Sequence, residues 1–231
     1  MLDVARNIAL VHERIQAAAY ASGRDPGEIA LLAVSKTQPT SCIRTALTAG
    51  QRLFGENYLQ EALDKIRVLA GHDICWHFIG ALQANKTRAV AEHFDWVHTV
   101  DRERIARRLS EQRPAQSPAL NVCIEVRLSD EPDKHGASPE DVPALAASIA
   151  QLPRLRLRGL MAIPALSHDA EQQRLPFRRL RELRDALNAQ GHTLDTLSMG
   201  MSGDLETAIA EGATLIRIGS AIFGPRSAKS D

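Results

Sequence analysis

A lysine directly follows the first strongly apolar run of the chain, in the segment LLAVSK that ends at Lys36. If this run is a strand of an α/β barrel, Lys36 lies at its carboxyl end, where enzymes of that architecture carry their active sites. Desolvation at such a place lowers the pKa of an amine and prepares it to form a Schiff base with a carbonyl group. The alternative is a lysine that only reaches solvent from a strand end, and its position alone does not decide between the two.

Two short glycine-containing segments further along the sequence could bind a phosphate. Ser202-Gly203 precedes a predicted helix, whose first N–H groups and dipole favour an anion. Gly219-Ser220 follows the eighth apolar run, and a glycine there lets a second stretch of backbone approach a ligand. Each segment alone could be an ordinary turn. Together they predict a phosphate site, because the loops after strands seven and eight of a barrel commonly hold one.

Arg217 stands two residues before the second of these segments and alternates with Ile216 and Ile218. In a strand this alternation points the arginine into the barrel and its neighbours towards the helices. A buried arginine needs a partner, which could be a carboxylate such as Glu56 or Glu125. The other interpretation is a donor to the ring nitrogen of a pyridoxal group. An arginine that stays charged would leave that nitrogen unprotonated and weaken the ring as an electron sink.

The elements that must position these residues alternate along the chain. Short runs rich in β-branched residues are each followed by a polar turn and a longer stretch with helical spacing, which is typical of βα units and a parallel sheet. The eight predicted strands are 29–35, 52–56, 76–79, 96–99, 122–126, 157–163, 196–199 and 215–218. The seven helices predicted between them are 42–49, 59–70, 84–93, 102–112, 139–151, 170–190 and 205–211.

We therefore predict a single (β/α)8 barrel domain over residues 1–231, with a leading amphipathic helix over about 1–22 and the barrel over about 29–226. The competing architecture, a doubly wound open sheet, would usually show a G-x-G-x-x-G turn after its first strand if it held a dinucleotide. The sequence has no such turn. The loop-like stretches 114–118 and 129–135 lie between predicted barrel elements and mark no domain boundary.

The charge balance and the cysteines limit the classes of partner. Lysine plus arginine and aspartate plus glutamate number 28 each, so no net field attracts nucleic acid or an anionic membrane. No apolar run is long enough for a signal sequence or a membrane span. The three cysteines include no C-x-x-C pair, which argues against a disulfide framework and a metal site. We expect a cytoplasmic protein without bound metal, and the absence of an apolar patch on the leading helix favours a monomer.

At several places the sequence resembles the pyridoxal phosphate homeostasis proteins, which are single-domain relatives of the alanine racemase N-terminal barrel. The resemblance covers nearly the whole chain and keeps the order of the motifs. The stretches that carry it are LLAVSKTQP, FGENYLQEALDKI, WHFIGALQANK, LSDEPDKHG, GLMAIPA, LSMGMSGDLETAIAEGAT and IRIGSAIFGPR. It implies a fold of the type III pyridoxal-phosphate class and a role in holding, buffering or supplying pyridoxal 5′-phosphate.

The resemblance also assigns roles to individual residues. It implies that Lys36 carries the cofactor as an aldimine and that Arg217 faces the pyridine nitrogen. The residues that it implies for the phosphate are Ser202, Gly219 and Ser220, and those for the pocket wall are Asn57, His77, Ser198 and Met199. From the residues alone, His77 could equally be a hydrogen-bonded core histidine and Asn57 a turn residue. Lys86 and Lys134 match family lysines near the cofactor loops and could pass the aldehyde on, or lie in solvent as most lysines do.

One departure from alanine racemase concerns catalysis. Racemisation with two bases needs an acid on each face of the cofactor, and in that enzyme a tyrosine from a further β domain supplies one. The tyrosines here are Tyr20, in the leading helix, and Tyr58, beside Asn57. We therefore expect a carrier without catalytic residues, with pyridoxal-phosphate-dependent apo-enzymes as candidate recipients. The alternatives are a weak amino-acid racemase and an aldolase that forms Schiff bases with sugar phosphates.

Overall fold

The computed structural model describes residues 3–128, 135–165 and 169–224. Its first element is the helix α1 (Val4–Ala21), which Asp3 caps by accepting a hydrogen bond from the Arg6 N–H. The buried side chains of α1 recur every three or four residues, as the amphipathic pattern predicts, and contact α2, α8 and α9. The leading helix therefore packs along the side of the barrel that the first and last strands close.

Eight parallel strands form a closed barrel in chain order, with β1 pairing with β8. The strands are β1 (Ala30–Val34), β2 (Leu53–Glu56), β3 (Cys75–Phe78), β4 (Trp96–Val100), β5 (Leu120–Glu125), β6 (Leu155–Met161), β7 (Thr196–Ser198) and β8 (Leu215–Ile218). The predicted fold class is thereby confirmed. All eight predicted strands are present. Their boundaries differ from the prediction by one or two residues, and those of β8 are identical to it.

The helices between the strands also follow the prediction. They are α2 (Thr40–Thr48), α3 (Leu59–Val68), α4 (Thr87–His93), α5 (Glu103–Gln112), α6 (Val142–Ala150), α7 (Ala170–Ala189) and α8 (Leu205–Ala210). The predicted helix 84–93 is in fact a 3-10 turn, Ala84–Lys86, followed by α4. The prediction missed a 3-10 turn at Pro26–Glu28 and the short helix α9 (Ser220–Phe223). Both are too short to show a helical period.

The barrel has an apolar outer layer and a divided interior. Between strands and helices lies one large hydrophobic cluster, which includes Phe54, Ile105 and Ile216. Inside the barrel, Leu32 and Leu215 form a small apolar group with Ile79. Polar side chains also point inward from β3, β4, β7 and β8, namely His77, His98, Ser198 and Arg217. Gly159 of β6 is required for sheet closure, because a Cβ there would lie 1.8 Å from the Thr196 carbonyl oxygen. None of the described helices is both long and apolar enough to cross a membrane.

Candidate functional site

A cavity of about 270 Å³ opens at the carboxyl ends of β1, β6, β7 and β8. It is bounded by residues from six of the strand ends and the loops that follow them: Val34, Lys36, Gln38, Asn57, Ile79, Met161, Ile163, Met201, Ser202, Gly203, Arg217, Gly219, Ser220 and Gly224. Six of the residues predicted to form the site, Lys36, Asn57, Ser202, Arg217, Gly219 and Ser220, therefore share one cavity. Gln38 also lies on its wall and was not predicted, although it is within the SKTQP motif.

Lys36 is half-buried and stands two residues beyond the end of β1. The chain turns sharply after it, since the Gln38 N–H donates to the Ser35 carbonyl over 3.1 Å. Thr37, within this turn, has a φ of 64° and is the one non-glycine residue with a positive φ in the described chain. A β-branched residue rarely adopts this conformation, so neighbouring groups must impose it. The turn lets the lysine reach the cavity while the chain leaves towards α2.

The residues predicted to bind phosphate lie in the loop before α8 and in the turn before α9. Within the described residues, no protein acceptor takes a hydrogen bond from the N–H groups of Ser202, Gly203 or Ser220. The loop before α8 is fixed from both sides: the Asp204 carboxylate accepts from the Met201 N–H over 2.5 Å, and Arg14 of α1 donates to the Ser202 carbonyl over 3.1 Å. Backbone N–H groups that are fixed in position and point into the same cavity are suited to bind an anion.

Arg217 is buried beneath this cavity and has neither of the carboxylate partners considered in the sequence analysis. Its Nη1 donates to the Ser198 carbonyl and hydroxyl oxygens over 2.5 and 2.8 Å, and its Nη2 donates to the Ala162 carbonyl over 2.9 Å. Burial lowers the pKa of Arg217 to about 10, while Asp204 and Glu125 favour its charge. The side chain therefore remains a cation at neutral pH.

Glu56, the first proposed partner of Arg217, instead belongs to a buried ion-pair cluster with Lys65. The Lys65 ammonium lies 2.8 Å from Glu56 Oε1 and 2.5 Å from Glu61 Oε1, and it donates to the Ser35 carbonyl over 2.6 Å. Burial raises the pKa of Glu56, and Lys65 opposes the shift. The sequence analysis missed Lys65, because a lysine inside the charged helix α3 is indistinguishable from a solvated one.

A chain of buried hydrogen bonds leads from Arg217 into the barrel. Ser198 Oγ lies 2.8 Å from His98 Nδ1, and His98 Nε2 lies 2.9 Å from His77 Nδ1. Arg217 can only donate, so the Ser198 hydroxyl accepts a hydrogen bond from it and uses its own O–H to donate one to His98 Nδ1. With this direction of donation, both imidazoles carry their proton on Nε2. At the far end His77 Nε2 is 3.4 Å from Cys75 Sγ.

Burial keeps both histidines neutral. It lowers the pKa of His77 to about 3, and it lowers the pKa of His98 well below the ordinary value, with His77 and Arg217 adding to the effect. His77 also stacks on Trp96 with ring centroids 5.2 Å apart. His98 was missed in the sequence, although its alternation with Trp96 in WVHTV places it on the same inward face as His77.

Three of the residues expected on the pocket wall lie behind it. His77 and Ser198 belong to the hydrogen-bond chain inside the barrel, and Met199 is buried in the hydrophobic cluster between strands and helices. For His77 the alternative of a hydrogen-bonded core histidine is the one that the structure matches. Met199 differs because it follows Ser198, whose side chain points into the barrel, so the alternation of side chains turns Met199 outward. Ser198 touches the site through Arg217.

A second cavity, of about 470 Å³, adjoins the first at Asn57. Its wall carries the exposed Lys86 together with Glu125 and Asp101. Burial, and then the charge of Asp101, raises the pKa of Glu125 to about 7. Lys134, the other lysine considered for cofactor transfer, lies outside the described residues. Within them, no group of three or more histidine, cysteine, aspartate or glutamate side chains could hold a metal ion.

The barrel and its site correspond to a known class. Residues 11–227 match the family model for the alanine racemase, N-terminal domain. An alanine racemase of Clostridium difficile superimposes with a TM-score of 0.79 at 11% identity, over 98% of this chain and 58% of that chain, which shows a shared fold. The class is thus the alanine racemase N-terminal barrel.

Closer relatives define the family within this class. The chain is 60% identical to the pyridoxal phosphate homeostasis protein of Pseudomonas aeruginosa, over 98% of this chain and 97% of the relative. It is 55% identical to the protein of that name from Escherichia coli, over 98% of both. PipY of Synechococcus elongatus, solved with PLP bound, has a TM-score of 0.82 at 38% identity, over 96% of this chain and all of that chain. The chain belongs to the pyridoxal phosphate homeostasis protein family.

Proposed function

We propose that this protein binds pyridoxal 5′-phosphate through Lys36 and serves in maintaining the supply of that cofactor, as a carrier in the cytoplasm. The observation that carries the proposal is that Lys36, the cationic Arg217 and backbone N–H groups of two loops meet at one cavity; among the described residues, these N–H groups have no protein acceptor. The membership of a family named for pyridoxal phosphate homeostasis supports it.

The residues present fit the cofactor. The cavity volume of about 270 Å³ lies just below the range of roughly 300–1,000 Å³ for ligand pockets, which suits one substituted ring better than a nucleotide. Asn57 Oδ1 is buried and accepts no hydrogen bond within the described residues, so a hydroxyl group of the ligand would satisfy it. The paired requirements of an amine and an anion site are both met.

Each group of the cavity then has a task. When bound, pyridoxal phosphate supplies an aldehyde that condenses with amines and a ring that withdraws electrons. The Lys36 amine would be the point of attachment. The N–H groups of Ser202, Gly203 and Ser220 would hold the phosphate, and Arg217, fixed by Ser198 and Ala162, would place its positive charge towards the ring nitrogen. A cation at that position cannot give up a proton readily, so the ring would be a poor electron sink.

The arrangement of tyrosines argues for a carrier over a racemase. Within the described residues the wall of the first cavity contains no tyrosine. Tyr20 is 64% exposed on α1, and Tyr58 is 55% exposed and lines the second cavity. A pair of acids on opposite faces of the bound ring is therefore lacking among these residues, and we propose at most weak racemase activity.

The binding proposal is tested by colour and by mass. Purified protein mixed with pyridoxal phosphate should show a visible absorption band that borohydride removes, and peptide mass analysis should then place the adduct on Lys36. Lys36→Ala should lose both signals, whereas Arg88→Ala, an exposed cation of α4, should keep them. An adduct that survives in Lys36→Ala contradicts the assignment. A colourless protein that still binds phosphate would favour the aldolase alternative.

The carrier proposal needs a transfer experiment. Loaded protein is mixed with a pyridoxal-phosphate-dependent apo-enzyme in the presence of a trap for free cofactor, and recovery of enzyme activity is followed. Direct delivery predicts recovery despite the trap. Lys86→Ala and Lys134→Ala should load normally and deliver more slowly if these lysines pass the aldehyde on. Recovery that the trap abolishes would show release into solution, and rapid turnover of an amino acid would contradict a carrier.

A further inference from the structure

The buried cluster around Lys65 lies directly behind the loop that carries Lys36. Lys65 is 5% exposed and Glu56 is fully buried, while the Glu61 side chain is 31% exposed. Ser35 completes the cluster, since its hydroxyl donates to Glu56 Oε1 over 2.6 Å. We call these four residues the Lys65 cluster. None of them lines the first cavity.

The Lys65 cluster binds the backbone on both sides of Lys36. Before it, the Ser35 carbonyl accepts from the Lys65 ammonium over 2.6 Å. After it, the Thr37 N–H donates to Glu61 Oε1 over 2.6 Å, and the same carboxylate oxygen accepts from Lys65. One ammonium group is thus connected to both peptide groups that flank the reactive lysine. The backbone at Lys36 cannot rotate without breaking one of these bonds.

The unfavourable backbone conformation of Thr37 must be maintained by neighbouring groups, and the Lys65 cluster supplies one of them. The φ of 64° at Thr37 is one that a β-branched residue leaves unless other groups hold it. The bond from the Thr37 N–H to Glu61 is such a hold. If it were lost, the turn after Lys36 would relax, and the lysine would leave its position on the cavity wall.

Stability alone is a weak reason for such a cluster. Replacing a buried ion pair with apolar side chains is often neutral or stabilising, because taking charges out of water opposes their attraction. Glu56 Oε2 is buried and accepts no hydrogen bond within the described residues, so the cluster is not even fully satisfied. Apolar side chains would often fill a purely structural core position equally well.

We propose that Lys65 is a positioning residue for Lys36, acting with Glu61 to fix the backbone on both sides of the reactive amine. The inference rests on the proposed function. Condensation of the neutral Lys36 amine with an aldehyde forms a carbon–nitrogen double bond and releases one water. The oxygen of that water comes from the aldehyde, and its two hydrogens come from the amine. The step needs no oxidant or reductant, but it requires the Lys36 nitrogen to lie within reach of the aldehyde carbon.

Four variants separate positioning from folding. Lys65→Met removes the central cation, and Glu61→Ala removes the acceptor of the Thr37 N–H from a partly exposed position that tolerates truncation. Glu61→Gln keeps an acceptor oxygen and is the conservative rescue. Arg67→Met, on the same helix but 74% exposed, is the surface control. Circular dichroism and thermal melting establish which variants fold. If Lys65→Met does not fold, Glu61→Ala alone tests the positioning role.

Two ligands and one ligand-free measurement provide the readout. Pyridoxine 5′-phosphate has the ring and the phosphate without the aldehyde, so its affinity reports the cavity, whereas pyridoxal 5′-phosphate also reports attachment to Lys36. For Lys65→Met and Glu61→Ala we expect the apparent affinity for pyridoxal phosphate to fall roughly tenfold to a hundredfold. The affinity for pyridoxine phosphate should change less than about twofold. In the ligand-free protein the Thr37 amide should exchange hydrogen about tenfold faster.

The outcomes are distinct from those that test the proposed function. If wild-type protein forms no adduct on Lys36, the proposed function fails before the variants are compared. If wild type forms it and the two variants do so equally well, or lose both ligands in parallel, the positioning role is refuted. Glu61→Gln should retain the attachment, and its failure alongside Glu61→Ala would also count against the proposal.

Discussion

Lys36 and Arg217 reach the same cavity by different means. Lys36 stands beyond the end of its strand, in a turn that contains the strained Thr37. Arg217 lies inside its strand, and three hydrogen bonds to the ends of β6 and β7 hold its guanidinium. The position of the amine thus depends on its loop and on the Lys65 cluster behind that loop, whereas the cation is held by the sheet. Substitutions in the loop should therefore alter the position of Lys36, whereas the position of Arg217 should depend on the ends of β6 and β7.

The two buried histidines behind Arg217 allow a prediction about protonation. Both should remain neutral with the proton on Nε2 between pH 8 and pH 5, because their pKa values are lowered by burial, that of His77 to about 3. The unfolded chain takes up protons below about pH 6.5, so at pH 5 the neutral His77 destabilises the folded state by about 2 kcal/mol relative to neutral pH, and His98 acts in the same direction. Imidazole ¹⁵N NMR, with free histidine as the reference, measures the protonation state and the tautomer of each ring directly. Signals of a doubly protonated ring from either residue at pH 5 would contradict it.

Gly80, which follows β3, permits the close approach of the Asn57 backbone. A Cβ at this position would lie 2.1 Å from the Asn57 carbonyl oxygen. Gly80→Ala should therefore destabilise the protein by about 1–3 kcal/mol and lower its melting temperature by roughly 2–12 °C. It should also weaken ligand binding, because Asn57 lines the cavity. Gly203→Ala is the stability control, since a Cβ there meets nothing within 4 Å; equal melting temperatures for the two variants would refute the steric argument.

At the scale of elements, the leading helix α1 supports the predicted phosphate site. Arg14 donates to the Ser202 carbonyl and pairs with Glu206 on α8 over 2.8 Å. Asn7 of the same helix donates to the Ile222 carbonyl of α9 over 2.9 Å. One helix thus anchors both segments that present N–H groups to the cavity.

This arrangement predicts a binding defect without a large loss of stability. Arg14 is 40% exposed, so its ion pair with Glu206 contributes at most about 1 kcal/mol. Arg14→Ala should lower the affinity for inorganic phosphate by about threefold, because the loop loses the anchor of its Ser202 carbonyl. Glu206→Gln keeps that anchor and should bind phosphate as wild type does. Competition of phosphate against pyridoxal phosphate provides the measurement, and an unchanged constant for Arg14→Ala would refute the role.

The alternation of apolar and helical periods was enough to predict the order and type of the barrel elements. It failed at Ala84–Lys86 and at α9, where a turn is shorter than the period that would reveal it. The residues at strand ends were predictable for the same reason, since a barrel brings such ends together. Lys65 and the hydrogen-bond partners of Arg217 were not predictable, because they depend on which side chains from different elements meet in the interior. His98 was missed, although its alternation with Trp96 placed it on the inward face.

At the scale of the whole molecule, the barrel should unfold as one unit that the ligand stabilises. A ligand at 100 times its dissociation constant adds about 2.7 kcal/mol, which corresponds to a rise in melting temperature of roughly 5–11 °C for a chain of this size. Calorimetry with pyridoxal phosphate should show a single transition that moves upward by this amount in wild type and much less in Lys36→Ala. If the protein is a monomer, as its sequence predicts, the transition temperature will not depend on protein concentration. Two separate transitions would contradict a single cooperative barrel.

The contact between Arg14 and Ser202 joins residues 188 positions apart, and β1 pairs with β8 across a similar separation. During synthesis, Lys36 would emerge long before the segments proposed to bind phosphate. A growing chain could therefore expose the amine but could not retain the cofactor until β8 had closed the sheet. Loading with pyridoxal phosphate would then mark completed folding, and such late, long-range closure would make assembly of the barrel slow.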